Sequence, residues 1–428
     1  MSKSVFSSVV PFWLIQKIAL LSLISVVVLF TAASCSWNPF SKGDSSASVL
    51  GIIKQDPNIK ANTFGKINAV KAINGKTDPD GLTNLSVVKI SQVDSNTLFA
   101  LTQEKGVFKT SDAGKSWQRI YVFPVTYTED KDKVKEMEAA FKRNDDIRVT
   151  NFWVQFDKPN TIYISAKHGD SGKIFKTTDG GKTVKEVYVS TGVESSSVDF
   201  VVIDPNTETT VYGLTSKNTL LQSLDGGETW KKINDYIKDK DRIIQIGILP
   251  LSKDFFTLSE KNGLSTSTDG TTWEKKVLTK KKEDATQPVS ADTKVQQIQR
   301  KILPQTLAPF KQYQKIIPIT NDSTEADEPA IILADKEIWF TSNLVGGTLT
   351  QIKNLPIEGD KVQIQDIAVD PVLGIQKLYV ASGNRLLVSD NGGETWANKK
   401  LTVEGIGNIS RIVIDKTNPE VIYLALRK

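Results

Sequence analysis

GVFKTSDAGKSWQRI, residues 106–120, is the stretch on which the reading of this chain turns. Apolar residues alternate up to Thr110, a short polar turn follows, and a second strand-like run begins at Trp117. Alternation, a turn rich in Asp and Gly, then alternation again is the pattern of a β-hairpin. An Asp carboxylate can accept the backbone N–H groups of such a turn, and Gly supplies a positive φ without Cβ strain. Thr or Ser ties the hairpin ends, and Trp buries a large ring against a neighbouring sheet.

The stretch recurs. KIFKTTDGGKTVKEV covers 173–187, LLQSLDGGETWKKI 220–233, LSTSTDGTTWEKKV 264–277 and LLVSDNGGETWANKK 386–400. A degenerate copy, IWFTSNLVGGTLTQI, covers 338–352. The shared core is Ser/Thr-x-Asp-x-Gly-x-Thr/Ser-Trp. Its structural residues are Asp112, Gly114 and Trp117 in the first copy, and Asp179 and Gly181 in the second, where Val184 replaces the Trp. They are Asp225, Gly227 and Trp230 in the third, Asp269 and Trp273 in the fourth, and Asn391, Gly393 and Trp396 in the last. In the fourth copy, one residue shorter in its turn, Ser267, Gly270 and Thr272 are assigned the matching roles.

A second pattern precedes each copy: a strand, a turn rich in Asp, Pro and Asn, then a strand with an apolar centre. VVIDPNTETTVYGLTS (201–216), IAVDPVLGIQKLYVAS (367–382) and IVIDKTNPEVIYLAL (412–426) show it most clearly. Each repeat therefore holds about four strands, which is one propeller blade. The second pattern occurs seven times and the hairpin six, because the chain ends after the last. LGIIKQDPN (50–58) and FGKINAVKAI (64–73) can supply the missing outer strands. The expected fold is all-β: a single seven-bladed β-propeller of four-stranded blades over residues 48–428, its ring closed by N- and C-terminal strands. Insertions at 121–147 and 278–312 interrupt the period. The first contains helix-prone EDKDKVKEMEAAFKRNDD, and the second carries a candidate helix near 293–302.

These motifs resemble the Asp-box (BNR) repeat superfamily, and within it the photosystem II assembly/stability factor type and sortilin-like bacterial repeat proteins. The resemblance spans most of the chain but lives in short turns, so it implies a propeller and no particular activity.

Ahead of the repeats, IALLSLISVVVLFTAAS (18–34) carries no charge and follows Lys17. A basic flank, an apolar core and small residues read as a signal sequence. Cys35, the only cysteine, follows directly, so 1–35 resembles a bacterial lipobox with Cys35 as the lipid attachment point. An uncleaved apolar membrane anchor helix is the other reading. Either one makes the protein extracytoplasmic and membrane-anchored in a bacterial cell envelope. A Ser/Gly-rich linker at 36–47 would hold the propeller off the surface.

The inventory narrows the chemistry. The formal charge is +5, two units of it from Lys3 and Lys17 in the leader, and this is too mild for nucleic acid. One cysteine and one histidine, His168, leave no cysteine- or histidine-built metal site. His168 is expected in a solvated hairpin loop. The eight arginines, Arg411 among them, follow no repeated position, so no sialidase-like clamp is visible. Trp153 and Trp339 are expected to face a core. The hairpin acids read as turn-holders, neither catalytic residues nor calcium ligands. No catalytic residue, cofactor site or metal site is assigned. The expectation is a non-catalytic protein-binding or assembly scaffold, with a glycan-binding protein or glycoside hydrolase as the alternative.

Overall fold

The computed structural model describes residues 51–55, 64–66, 69–70 and 85–427, the last range without 281–309, 320–327 and shorter gaps of at most five residues. The leader, Cys35, the linker and the candidate helix near 293–302 lie outside the described residues.

Seven sheets, each built on an antiparallel four-stranded meander, follow one another and are numbered here as blades by their innermost strands. These strands are Val87–Gln92, Arg148–Val154, Val198–Ile203, Ile243–Ile248, Tyr313–Pro318, Ile364–Asp370 and Asn408–Ile414, for blades 1 to 7. Within each blade the strands run outward as a meander. Blade 2, for example, continues through Ile162–His168 and Ser171–Thr177 to Lys185–Val189. Blade 7 is mixed: Asn408–Ile414 and Ile422–Arg427 come from the C-terminus, and Gly51–Gln55 and Phe64–Lys66 from the N-terminal region.

The second strand of each blade explains the continuous apolar runs. LFALT, VYGLT, FFTLS and AIILA are buried at every residue, because neighbouring blades cover both faces. Each pair of successive blades shares a hydrophobic cluster. Tyr212, Leu214, Ile243, Ile246 and Phe255 join blades 3 and 4. Phe256, Leu258, Tyr313, Ile332 and Trp339 join 4 and 5. Ile52, Tyr423 and Ala425 of blade 7 pack on Val87, Leu98, Phe108 and Trp117 of blade 1.

Two sheets hold five strands rather than the expected four. Ala69–Val70 pairs in parallel with Ser116–Trp117 of blade 1, and Thr279–Lys280 pairs in parallel with Thr348–Leu349 of blade 5. Each covers an outer edge that would otherwise leave ladder groups open. FGKINAVKAI is thus divided: Phe64–Lys66 completes blade 7, and Ala69–Val70 crosses to blade 1. The ends of the 278–312 insertion are part of the core, with Leu278 and Phe310 both buried in the cluster between blades 4 and 5.

The meander sorts connections by face. Turns between first and second strands, and the repeat hairpins between third and fourth, share one face; Gly180 N–H donates to Asn160 O at 2.9 Å, and Gly226 N–H to Thr209 O at 2.6 Å. Turns between second and third strands, and the links from one blade to the next, share the other. There Gln103 N–H donates to Ser86 O at 2.8 Å, and Glu260 N–H to Arg242 O at 2.9 Å. Both insertions are blade-to-blade links; the first leaves the propeller on this linker face, and the described start of the second, Thr279–Lys280, lies along the outer edge of blade 5. In the first, helix α1, Val134–Asp145, is tied down by the buried Asn144, which exchanges two 3.0 Å hydrogen bonds with the backbone of Phe123. The Asp145 carboxylate bridges Arg119 at 2.7 Å and Lys105 at 2.8 Å.

Candidate functional site

The repeat hairpins lie on the outer part of the blades. In blade 3, Asp225 accepts the Ser223 hydroxyl at 2.7 Å, the Thr229 amide at 2.9 Å and the Thr229 hydroxyl at 2.5 Å. Gly227 N–H donates to Ser223 Oγ at 2.7 Å, and at φ +93° a Cβ there would stand 3.1 Å from Tyr163. Asp112 and Asp179 make the same set of bonds with Thr110 and Ser116, and with Thr177 and Thr183; Gly114 and Gly181 N–H donate to Thr110 and Thr177 Oγ1. In blade 6, Asn391 substitutes an amide: its Oδ1 accepts Ser389 Oγ and Thr395 N–H, and its Nδ2 donates to Thr395 Oγ1 at 2.9 Å, while Gly393 N–H donates to Ser389 Oγ.

Blade 4 departs from the assigned roles. Its turn is one residue shorter, so the hydroxyl bonded to Asp269 Oδ2 at 2.6 Å is that of Thr271, and Thr272 gives only its N–H. The tryptophans divide. Trp117 is buried, at 1% exposure. Trp230, Trp273 and Trp396 are half-buried and donate Nε1–H to Gly227 O, Gly270 O and Gly393 O at 3.0, 3.1 and 3.0 Å.

These bonds spend the acids on the turn. Burial pushes Asp179 up, but the Thr183 hydroxyl and amide and the Thr177 hydroxyl outweigh it and hold the carboxyl at about 2. The Thr229 hydroxyl and amide hold Asp225 below the usual carboxylate range, and those of Thr271 and Thr272 do so for Asp269. A carboxyl this strongly held in its charged form is a poor proton donor near neutrality. Among the described residues no group of three or more His, Cys, Asp or Glu is arranged to hold a metal ion. His168 is the exposed last residue of a blade 2 strand rather than a loop residue.

The larger opening lies on the propeller axis. A channel of about 680 Å³ is lined by the innermost strands of all seven blades. In each of these strands the register slips near its start, between Val87 and Lys89, Val149 and Asn151, Val198 and Phe200, Ile243 and Gln245, Tyr313 and Lys315, Ile364 and Asp366, and Ile409 and Arg411. A β-bulge re-aims the residue beside it. The residues after the slip, Lys89, Asn151, Phe200, Gln245, Lys315, Asp366 and Arg411, therefore form one ring, near the linker face. Six of the seven are polar. Sequence reasoning missed this ring, although a polar third residue in VVKI, VTNF, IIQI, YQKI, IQDI and ISRI was the available signal. Arg411 does occupy a repeated position, shared with residues of other types. Trp153 is half-buried and lines the channel rather than sitting wholly in a core; Trp339 is buried between blades 4 and 5.

The ring also fastens blade to blade. Lys89 Nζ donates to Asn151 Oδ1 at 2.5 Å and Phe152 O at 2.6 Å, joining blades 1 and 2. Gln245 exchanges 2.8 and 2.9 Å bonds with the backbone of Ile316, joining 4 and 5. Asp366, fully buried, pairs with Lys315 of blade 5 and accepts Ile412 N–H of blade 7 at 2.8 Å. Burial, then the nearby Arg411 guanidinium, pushes the Lys89 ammonium down to about 7. Burial lowers Lys315 as well; Asp366 opposes that shift and Arg411 adds to it.

The charged groups lining the channel are Lys89, Lys315, Arg411, Arg427 and Asp366. A glycosidase pair requires two carboxyls across the scissile bond. Among the described residues the lining holds one, and it is engaged by Lys315 and a backbone amide.

Its fold is similar to that of YCF48. A structure of YCF48 bound to D1 peptide is 15% identical over 80% of this chain and 93% of that one, with a TM-score of 0.50. YCF48 from Cyanidioschyzon merolae gives 16%, 80%, 96% and 0.51. A GH74 enzyme from Niastella koreensis gives 16% and 0.55, over 80% of this chain but 51% of its own. At such identities the likeness concerns fold, which hosts unrelated activities. No family model matches the chain, and no curated protein matches it in sequence. Among the described residues no helix is long and apolar enough to cross a membrane.

Proposed function

We propose that this chain is a non-catalytic, protein-binding propeller of the Asp-box type, held outside a bacterial membrane through Cys35 or the apolar segment before it. The mixed blade 7 closes its ring, and partners dock on the linker face around the channel mouth. The observation that carries this reading is the channel lining, which among the described residues is basic, with a single carboxylate already paired with Lys315. Such a surface complements acidic protein segments, and among the described residues it lacks the acid and base of a hydrolase. The YCF48 likeness supports it, because a propeller of this shape holds a D1 peptide. Trp153, half-buried in the channel wall, is the feature that favours a glycan instead, since aromatic rings stack on sugar faces.

The test is crosslinking of the anchored protein in its native cells, with Arg427→Glu and Cys35→Ala as comparators. Arg427 is exposed at the channel rim, so reversal leaves the core intact. The expected result is a reproducible membrane-protein partner that both variants lose. Capture unaffected by Arg427→Glu, or turnover of a glycan by the purified propeller, would overturn the proposal.

A further inference from the structure

Within the ring, two cations stand without a carboxylate among the described residues. Lys89 gives its two bonds to an amide oxygen and a carbonyl, and Arg411 Nη1 donates to its neighbour's carbonyl, Ser410 O, at 2.6 Å. Among the described residues neither has an ion pair; Lys315 alone has Asp366. Charge of one sign gathered in a partly dehydrated cavity is unfavourable unless an opposite charge is supplied. With Lys89 protonated, the ring carries an excess of two positive charges.

We propose that the channel is a binding site for a small phosphate dianion, free or as a monoester, held between Lys89, Lys315 and Arg411. Two features select this ligand. The three donors come from blades 1, 5 and 7, so they approach from different sides of the axis. A tetrahedral anion offers acceptor oxygens in all these directions, whereas a carboxylate offers two in one plane. Donors also remain to be used: an ammonium has three and a guanidinium five, and Lys89, Lys315 and Arg411 give two, one and one of them to the protein. Arg411 can present its fork to two phosphate oxygens at once. Occupancy would replace mutual repulsion by attraction and brace three blades together. The phosphate site rests on the same basic lining as the docking reading, but its donors lie inside the channel, so Arg427→Glu at the rim tests docking and Arg411→Gln tests the phosphate site.

The anion draws Lys89 into its charged form. The charged groups that share the channel with that ammonium are Arg411 of blade 7 and, from blades 5 and 6, Lys315 and Asp366; blade 2 offers the neutral Asn151, Phe152 O and the Phe152 ring, whose centroid lies 4.6 Å from Lys89 Nζ. Binding should therefore weaken between about pH 7 and about pH 9, where a phosphomonoester stays dianionic and Lys89 loses its proton.

Titration calorimetry on the full chain tests the site, with inorganic phosphate in one arm, glycerol phosphate in another, and chloride at matched ionic strength as the blank. One site per chain is expected, weakened at least about tenfold by Arg411→Gln, the loss of one charge-assisted contact. Arg411→Lys, which keeps the charge and removes the fork, should fall between. Binding of both ligands supports a site open to monoesters, and binding of inorganic phosphate alone supports an enclosed free ion. No heat beyond chloride in either arm, or affinity unchanged in Arg411→Gln with glycerol phosphate binding flat across that pH range, would overturn the proposal.

Discussion

The outer hairpins and the inner ring use the same device, a repeated backbone irregularity, for opposite ends. At the rim the side chains repeat with the backbone: Asp112, Asp179, Asp225 and Asp269 each bond to hydroxyls and amides of their own turn. At the axis the backbone slip repeats but the residue beside it changes from blade to blade, and the bonds run to the next blade. A repeated residue on a repeated backbone marks local structure. A varied residue on a repeated backbone marks a position where the whole ring converges and where each blade can contribute something different.

Substitution can break this contrast. Asp366→Ala should cost about 2 kcal/mol, because it strips a buried acceptor from Lys315 and from Ile412 N–H together. Asp112→Ala, losing bonds confined to one turn, should cost about 1 kcal/mol. Chemical denaturation of the two variants measures the difference. Equal losses would mean that the ring does not couple blades more than the rim does.

Acid sharpens the comparison further. Rim carboxyls held below their ordinary value stabilise the fold above about pH 4. That contribution is lost as pH falls through the lowered folded values, about 2 for Asp179. Asn391 performs the same turn without titrating. Replacing Asp179, Asp225 and Asp269 together by Asn should therefore move the acid-unfolding midpoint, followed by tryptophan fluorescence, to lower pH. An unmoved midpoint would remove these carboxyls from the acid response.

The smallest effect concerns the shortened turn of blade 4. Thr271→Ala should destabilise by roughly 0.5–1 kcal/mol, and Thr272→Ala by less, since only Thr271 lends Asp269 a hydroxyl. Thermal melts of the pair decide it, and a larger loss from Thr272→Ala would reverse the assignment.

Much of this architecture is legible in the chain because its causes are local. A hairpin needs Asp, Gly and a hydroxyl within a few residues of each other, and a strand covered on both sides needs a largely apolar run, unbroken in AIILA. Blade number and the order of strands within blades follow from counting such segments. The fifth strands on blades 1 and 5 were not legible, because residues as brief as Ala69–Val70 and Thr279–Lys280 acquire strand geometry only from the edge they meet. The ring was hidden for a related reason. Lys89, Asp366 and Arg411 are far apart in sequence, and each alone is an ordinary polar residue in a strand. Only the circular stacking of blades brings them onto one axis, where partial dehydration and the nearby Arg411 lower Lys89, and where Arg411 has no acidic partner among the described residues. Local chemistry in the sequence determined the blades; the charge collected at the centre arises from their arrangement, because electrostatic coupling depends on distance in space and on exclusion of water.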